Sequence, residues 1–158
     1  MAHDPNIPTP VFDEYAARIL ALMVATDAGW SRGEIARELG LSRESVGKVM
    51  RGPYPHLARL YRRAGTRPSL YRKALLYKPS RQAVAEIESG SLVLPAAPAS
   101  DDTALADAVA RRLAINVRPT SVTELARFTG IHPLSVARVL NTEPARFRQV
   151  SAHRWSMA

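Results

Sequence analysis

Ten basic residues and no acidic residue lie between Ser45 and Ala85. Most of the ten are arginines, whose planar guanidinium matches phosphate oxygens and guanine edges better than a lysine ammonium does. Tyrosines are interleaved with them. The ten are Lys48, Arg51, Arg59, Arg62, Arg63, Arg67, Arg72, Lys73, Lys78 and Arg81. Such a stretch is typical of a surface that binds a polyanion.

The whole chain of 158 residues is basic, with a formal charge of +8. Arginine supplies 19 of the 22 positive charges, a bias that phosphate recognition and a GC-rich genome explain equally well. The excess is uneven, because residues 1–79 carry a net +6 and residues 80–158 a net +2. We therefore expect the first half to provide most of the attraction for a polyanion.

Other chemistries have little support in the sequence. The chain has no cysteine, which excludes disulfides and thiolate metal sites. Its four histidines lack the paired spacing of metal-binding motifs, and neither a nucleophile elbow nor a phosphate-cradling glycine loop occurs. The longest strongly apolar run, Ile19 to Ala25, is too short to cross a bilayer. We expect no enzymatic activity, no cofactor, no metal and no membrane partner.

A repeated pattern supplies the elements that position the basic residues. Residues 31–52 and 121–142 align without a gap, with eight of 22 positions identical, and this argues against chance periodicity. Each copy opens with an S-x-x-E capping box, continues with an apolar stripe and has a glycine where a helix would end. The boxes are Ser31 with Glu34 and Ser121 with Glu124. Two helices joined by a short glycine turn form a helix-turn-helix unit.

Particular positions fix the helix ends in this prediction. Gly40 and Gly130 are expected to end the first helix of each copy in a left-handed conformation. Ser42 and His132 are the predicted N-caps of the second helices. Pro133 then falls at the first helical position, where its missing amide costs nothing.

A β-hairpin is predicted after each helix pair. In the first, Leu60 and Tyr61 begin a strand, Gly65 marks the turn, and Leu70 with Tyr71 forms the returning strand.

The second hairpin is predicted to be shorter. Phe147 and Val150 lead to its turn, and Trp155 is expected to take the place of Tyr71 and to close a small core.

Four segments follow from these patterns. They are a flexible arm over residues 1–10, a first domain over 11–79, a linker over 80–100 and a second domain over 101–158. Within the linker a short helix runs from Ser80 to Glu88 and is ended by Gly90. Val93 and Leu94 are the linker residues that we expect to pack on a neighbouring unit.

The stretches EIARELGLSRESVGKVM and ELARFTGIHPLSVARVL resemble the winged helix-turn-helix proteins of bacterial and phage regulators. The resemblance covers Val11 to Lys78 and Asp101 to Ala158. It implies a mostly α protein with small β-wings, built as two tandem winged helix-turn-helix domains that bind double-stranded DNA. It also implies a cytoplasmic, nucleoid-associated location and a role in transcriptional regulation, most often repression.

The resemblance assigns roles to residues of the first unit. Its recognition helix would read bases through Arg43, Glu44, Ser45, Lys48 and Arg51. Arg43 suits guanine, whereas Glu44 either accepts from a cytosine amine or orients Arg43.

In the second unit the matching base-reading positions are Leu134, Ser135, Arg138 and Asn141. Leu134 suits a thymine methyl group or a protein contact, and Asn141 suits adenine. The residues expected to contact phosphate in both units are Ser31, Arg32, Arg59, Arg62, Arg63, Arg67, Arg72, Lys73, Arg146, Arg148 and Arg154.

Two other functions remain open at this stage. One is an architectural factor in phage or plasmid excision, partition or replication. The other is a scaffold whose winged helices bind protein, as in chromosome-segregation complexes. A tandem of unlike heads would read two major-groove faces about 34 Å apart without dimerising, although a homodimer is also compatible with the sequence. We expect the two heads to differ, with the second adding specificity or a protein contact.

Overall fold

The computed structural model describes residues 10–26, 28–70, 72–96 and 102–158. In these residues the chain is a mixed α/β protein with eight helices and two three-stranded antiparallel sheets. The predictions for the N-terminal arm, for Tyr71 and for the end of the linker fall on residues 1–9, 71 and 97–101, outside this description.

The first unit, defined here as the described residues 10–96, contains five helices and three strands. In chain order these are α1 (Pro10–Ala25), β1 (Trp30–Ser31), α2 (Arg32–Leu39), α3 (Arg43–Arg51), α4 (Pro55–Ala58), β2 (Tyr61–Pro68), β3 (Lys73–Pro79) and α5 (Arg81–Glu88). The sheet order is β1-β3-β2. Ser80 caps α5, so the helix predicted within the linker is confirmed.

The second unit, residues 102–158, repeats most of this order. Its elements are α6 (Asp102–Ile115), β4 (Thr120–Ser121), α7 (Val122–Thr129), α8 (Pro133–Thr142), β5 (Phe147–Ser151) and β6 (Arg154–Met157). The sheet order β4-β6-β5 matches that of the first unit. The second hairpin is shorter, as predicted.

Serine caps start the first helix of each pair. Ser31 Oγ accepts from the Glu34 amide at 3.1 Å, and the Ser31 amide donates to Glu34 Oε1 at 2.8 Å. Ser121 Oγ likewise accepts from the Glu124 amide at 3.1 Å. The Glu124 carboxylate instead lies 3.9 Å from Arg154 Nη1. Both predicted helix starts are confirmed, but the reciprocal half of the box forms only in the first unit, as far as the described residues show.

The predicted ends and caps of the helix pair are also confirmed. Gly40 and Gly130 have φ values of 68° and 72°, which a residue with a Cβ adopts only at a cost. Ser42 accepts from the Ser45 amide and caps α3. His132 caps α8 by accepting the Leu134 amide at Nδ1, at 3.1 Å.

Each unit has its own hydrophobic core. The first is built from α1 to α5 and the sheet, around fully buried residues such as Ile19, Ile35 and Val46. The second is built from α6, α7, α8 and the second sheet. Leu94 packs on the first core as expected, whereas Val93 is 82% exposed and does not.

The first hairpin differs from its prediction. Strand β2 runs through Gly65, and the β2–β3 register shifts between Arg63 and Thr66. The chain reverses between Pro68 and Lys73 instead. The turn predicted at Gly65 is therefore wrong, because a glycine with positive φ serves a β-bulge as readily as a turn.

The aromatic residue of the first sheet that corresponds to Trp155 is also different from the prediction. Trp155 lies opposite Thr120 in the second sheet, just as Tyr77 lies opposite Trp30 in the first. The counterpart of Trp155 is therefore Tyr77 and not Tyr71. Trp155 is buried in the second core, as predicted.

The left-handed cap at Gly40 gives a test of the helix turn. No other atom lies within 4 Å of a Cβ built there, so a substitution meets only the backbone strain. Gly40→Ala should lower the free energy of unfolding by about 1–2 kcal/mol, and Gly40→Asn should lower it less. Urea denaturation of the three proteins measures this, and an unchanged midpoint for Gly40→Ala would contradict the assigned cap.

Candidate nucleic-acid interface

Helix α3 has one buried face and one exposed face. Val46, Val49 and Met50 pack into the first core, so the opposite face must point outward. Arg43, Glu44, Lys48 and Arg51 are exposed on it. Four of the five predicted base-reading residues of this unit are thus accessible together.

The fifth residue, Ser45, is held by the helix cap. Its amide donates to Ser42 Oγ at 3.0 Å, and its own hydroxyl accepts from Ser42 Oγ at 2.9 Å. Glu44 lies 3.5 Å from Lys48 Nζ in an exposed i,i+4 pair, which adds little stability. The Glu44 carboxylate therefore faces Lys48. It does not face Arg43, the side chain that one of the two alternatives expected it to orient.

Two arginines cross between α2 and α3, each over a glycine of the other helix. A Cβ at Gly47 would lie 3.2 Å from Arg32 Nη1, and a Cβ at Gly33 would lie 3.6 Å from Arg43 Nε. Neither arginine has a carboxylate partner among the residues that the structure describes. The absence of a Cβ at each glycine thus leaves room for an arginine side chain to cross from one helix to the other.

The hairpin carries further cations without acidic partners in the described part of the chain. They are Arg62, Arg63, Arg72 and Lys73, all exposed. Arg62 lies directly opposite Lys78 on the neighbouring strand, and like charges in that position destabilise a hairpin.

Three residues predicted to contact phosphate have structural roles instead. Ser31 is 6% exposed, and its hydroxyl caps α2. Arg59 forms an ion pair with Glu86. Arg67 Nη1 donates to both Glu34 carboxylate oxygens at 2.6 and 2.8 Å, and its Nη2 donates to the Gly29 carbonyl at 3.1 Å. These side chains are buried or already paired in this structure, and their phosphate contacts stay a prediction.

The N-terminal part of α8 packs against α2 of the first unit. Ser135 is completely buried, and its hydroxyl donates to Glu38 Oε2 at 2.7 Å. Arg138 Nη2 donates to Glu38 Oε1 at 2.9 Å and to Asp102 Oδ1 at 2.7 Å. Burial lowers the pKa of Arg138, but Glu38 and Asp102 more than offset this and raise it. In this arrangement both residues are engaged with Glu38, so their base-reading role stays a prediction that requires this contact to open.

His132 forms the other half of the contact between the units. Its ring stacks on Trp30 with centroids 3.9 Å apart. Because Nδ1 accepts the Leu134 amide, Nε2 carries the proton and donates to the Gly29 carbonyl at 3.0 Å. Arg67 Nη2 lies 3.5 Å from the same Nε2. The neutral ring therefore satisfies both nitrogens while it caps α8 and binds the first unit.

The remaining predicted residues of the second unit are on its surface. Leu134 is 50% exposed, and the Asn141 amide is turned back to the Ala137 carbonyl. Arg146 forms ion pairs with Asp107 and Glu143, and Arg154 Nη1 donates to the Pro119 carbonyl and lies near Glu124. Arg148 is the one predicted phosphate contact of this unit that is exposed without an acidic partner among the described residues.

Sequence reasoning missed the receiving face on the first unit. Gly29, Trp30, Glu34 and Glu38 form it, and Glu38 is only 1% exposed. The one signal in the sequence is that Glu34 and Glu38 stand four residues apart, on one flank of α2. That spacing is more typical of a solvated helix face, so it does not predict a buried contact.

Comparisons with known proteins add nothing to this geometry, because no family model, curated protein or solved structure matches the chain. No helix in the described ranges is long and apolar enough to cross a membrane. Over the same ranges, no group of three or more histidine, aspartate or glutamate side chains is placed to hold a metal ion.

The environment of His132 predicts a pH dependence of stability. Burial lowers its pKa below the ordinary value of 6.5; Arg67 adds to this effect, while Glu34 and Glu38 oppose it. The unfolded chain therefore binds the proton more readily, and the stabilisation from the neutral ring is present above pH 6.5 and is lost as the pH falls below it. Between pH 7.5 and 5.5 the loss from this residue should be at most about 1.4 kcal/mol.

His132→Asn keeps a good N-cap residue but removes the titrating ring. We expect its free energy of unfolding to fall less than that of the wild type between pH 7.5 and 5.5. Both proteins keep every other titratable side chain, so the comparison reports on the substituted ring. Denaturant titrations at the two pH values measure the difference, and equal pH dependence in both proteins would contradict a neutral, buried His132.

Proposed function

We propose that this chain is a sequence-specific double-stranded DNA-binding protein of the tandem winged helix-turn-helix type, acting as a transcriptional regulator. The observation that carries the proposal is the set of exposed, uncompensated cations shared by α3, the start of α2 and the first hairpin. The exposed members are Arg43, Arg51, Arg62, Arg63, Arg72 and Lys73, and the partly buried Arg32 joins them; none has an acidic partner among the described residues. A helix and an adjoining hairpin that share such a set suit a major groove and its flanking phosphates.

The exposed face of α3 suggests how bases would be read. Arg43 can donate two hydrogen bonds to a guanine edge, and Glu44 can accept from a cytosine amine once Lys48 turns to the backbone. Arg51, one turn further on, would read a base or hold a phosphate. The hairpin arginines would fix the register of the protein on the duplex without reading sequence.

Docking of the second unit on the first reduces the number of recognition helices that one chain can present to DNA. Because Ser135 and Arg138 are engaged with Glu38, the closed chain offers one reading helix rather than two. A closed chain should therefore protect about one half-site, and two half-sites about 34 Å apart would need a second chain.

The hairpin cations give the first test of DNA binding. The double variant Arg62→Ala/Arg63→Ala should weaken binding to every duplex and lower the log–log salt slope by about two, because two phosphate contacts are lost. Arg111→Ala/Arg118→Ala removes the same charge from exposed positions of the second unit and serves as the matched control. Fluorescence anisotropy of a selected and a scrambled duplex at several salt concentrations measures the slopes. Equal slopes in the two double variants would refute hairpin contacts.

The crossing of Arg32 over Gly47 gives a second test, in which stability and affinity move in opposite directions. Gly47→Ala should raise the free energy of unfolding by about 0.5–1 kcal/mol, because alanine favours a helix interior. Its Cβ would meet Arg32 at 3.2 Å, so Arg32 must shift and DNA affinity should fall as it does in Arg32→Ala.

A double-mutant cycle identifies the cause of that loss. If displacement of Arg32 is the reason, Arg32→Ala/Gly47→Ala should bind the selected duplex no more weakly than Arg32→Ala alone. Additive losses in the double variant would show that Gly47 acts on DNA directly and not through Arg32.

A further inference from the structure

The two units meet through polar groups, and their apolar cores remain separate. The contact includes Glu38 with Ser135 and Arg138, the Arg67–Glu34 pair beside His132, and the hydrogen bond from His132 to Gly29. Arg127 Nε also donates to the Ser69 carbonyl at 3.4 Å. It also includes the ring stack of Trp30 on His132. Contacts of this composition resemble transient interfaces, for which relative motion of the domains is the ordinary expectation.

The side of α8 that is covered is the side that would face DNA. Ser135 and Arg138 align with Ser45 and Lys48 of α3, and His132 aligns with its N-cap, Ser42. In the closed chain, the Glu38 carboxylate accepts from Ser135 and Arg138. An anionic oxygen thus occupies the position in which these donors would otherwise meet a phosphate or a guanine edge.

From this arrangement we propose that α8 is a second duplex-binding surface, which the Glu38 carboxylate keeps closed and a sufficiently long duplex opens. The inference rests on the proposed DNA-binding function and adds its regulation. On opening, the same donors exchange the Glu38 carboxylate for an anionic or carbonyl oxygen of the duplex. Arg138 therefore donates hydrogen bonds to an oxygen in both states.

The exchange has a clear energetic requirement. Glu38 is tethered to α8, and a tethered partner acts at an effective concentration on the order of millimolar. A duplex competes only if it binds the open chain better than the closed one. A short duplex that contacts α3 alone binds the open and the closed chain equally well. A duplex that extends past α3 also gains the contacts of α8, which only the open chain offers. Opening should therefore depend on duplex length.

Glu38→Gln tests the closing contact without DNA. It keeps an acceptor for Ser135 but removes the charge that Arg138 needs, and should shift the equilibrium toward the open chain on the order of tenfold. Glu88→Gln makes the same charge change at an exposed position of α5 and is the matched control.

The absence of cysteine allows clean labelling. Spin labels at Gln82→Cys and Thr123→Cys, both exposed and in different units, report the separation of the units. Pulsed electron resonance should give one narrow distance in the wild-type and Glu88→Gln backgrounds and a broad, longer distribution with Glu38→Gln. Arg138→Gln breaks the same pair from the other side and replaces Glu38→Gln in this measurement if the latter does not fold. A narrow distance in both interface variants would overturn the proposal.

Two duplex lengths test the ligand. With a duplex of roughly one helical turn, wild type and Glu38→Gln should bind equally and leave the label distance of each protein unchanged. With a duplex of roughly two and a half turns, the wild-type distance should lengthen and Glu38→Gln should bind on the order of tenfold more tightly than wild type. If short duplexes bind but the long one gives no such gain, this inference fails alone. If neither protein binds any duplex, the proposed function fails with it.

Discussion

Glu38 has 1% of its side chain exposed, at the point where the two units touch. A carboxylate in such a place is stable only when donors satisfy its oxygens. Here Ser135 donates to one oxygen and Arg138 to the other, so the position of α8 relative to α2 is set by the need to satisfy one buried charge. Asp102 accepts from the same guanidinium group and links the start of α6 to the contact. The donors that satisfy Glu38 are the ones that α8 would otherwise present to a ligand.

A second buried carboxylate connects the helix cap, the hairpin and the unit contact. Glu34 completes the capping box of α2, accepts from Arg67 and lies near His132. Arg67 reaches it from β2, beyond the bulge at Gly65. The bulge shifts the register of the strand between Arg63 and Thr66, and so helps to decide which hairpin arginines turn toward Glu34 and which remain in solvent. Arg62 and Arg63 lie before the shift and stay exposed, without an acidic partner in the described part of the chain.

Local patterns predicted the two helix pairs, the helix after Ser80, their caps and the two αL glycines, because each depends on contacts within a few residues. The short helix α4 was not predicted. Capping by Ser42 and His132 needs only the next helical turn, and the apolar stripes of α2 and α3 need only a periodicity. The hairpin turn and the partner of Trp155 were wrong, because strand register is decided by pairing across the sheet. The α3 face was largely accessible as predicted, whereas Ser135 and Arg138 were covered. Their burial depends on the orientation of one unit against another, which no pattern within either repeat encodes.

The difference between the copies also explains why the contact closes within one chain. A contact of one repeat with an unlike face of the next is heterologous, and such contacts propagate into open assemblies when every repeat offers both faces. The second unit does not offer the receiving face. The position that aligns with Glu38 is Phe128, and Arg112 lies over its ring at 4.0 Å. Without a carboxylate there, the second unit has nothing to satisfy the serine and cation of another α3 or α8. One glutamate, present in one repeat and replaced in the other, thus contributes both to the docking of α8 and to its restriction to the first unit.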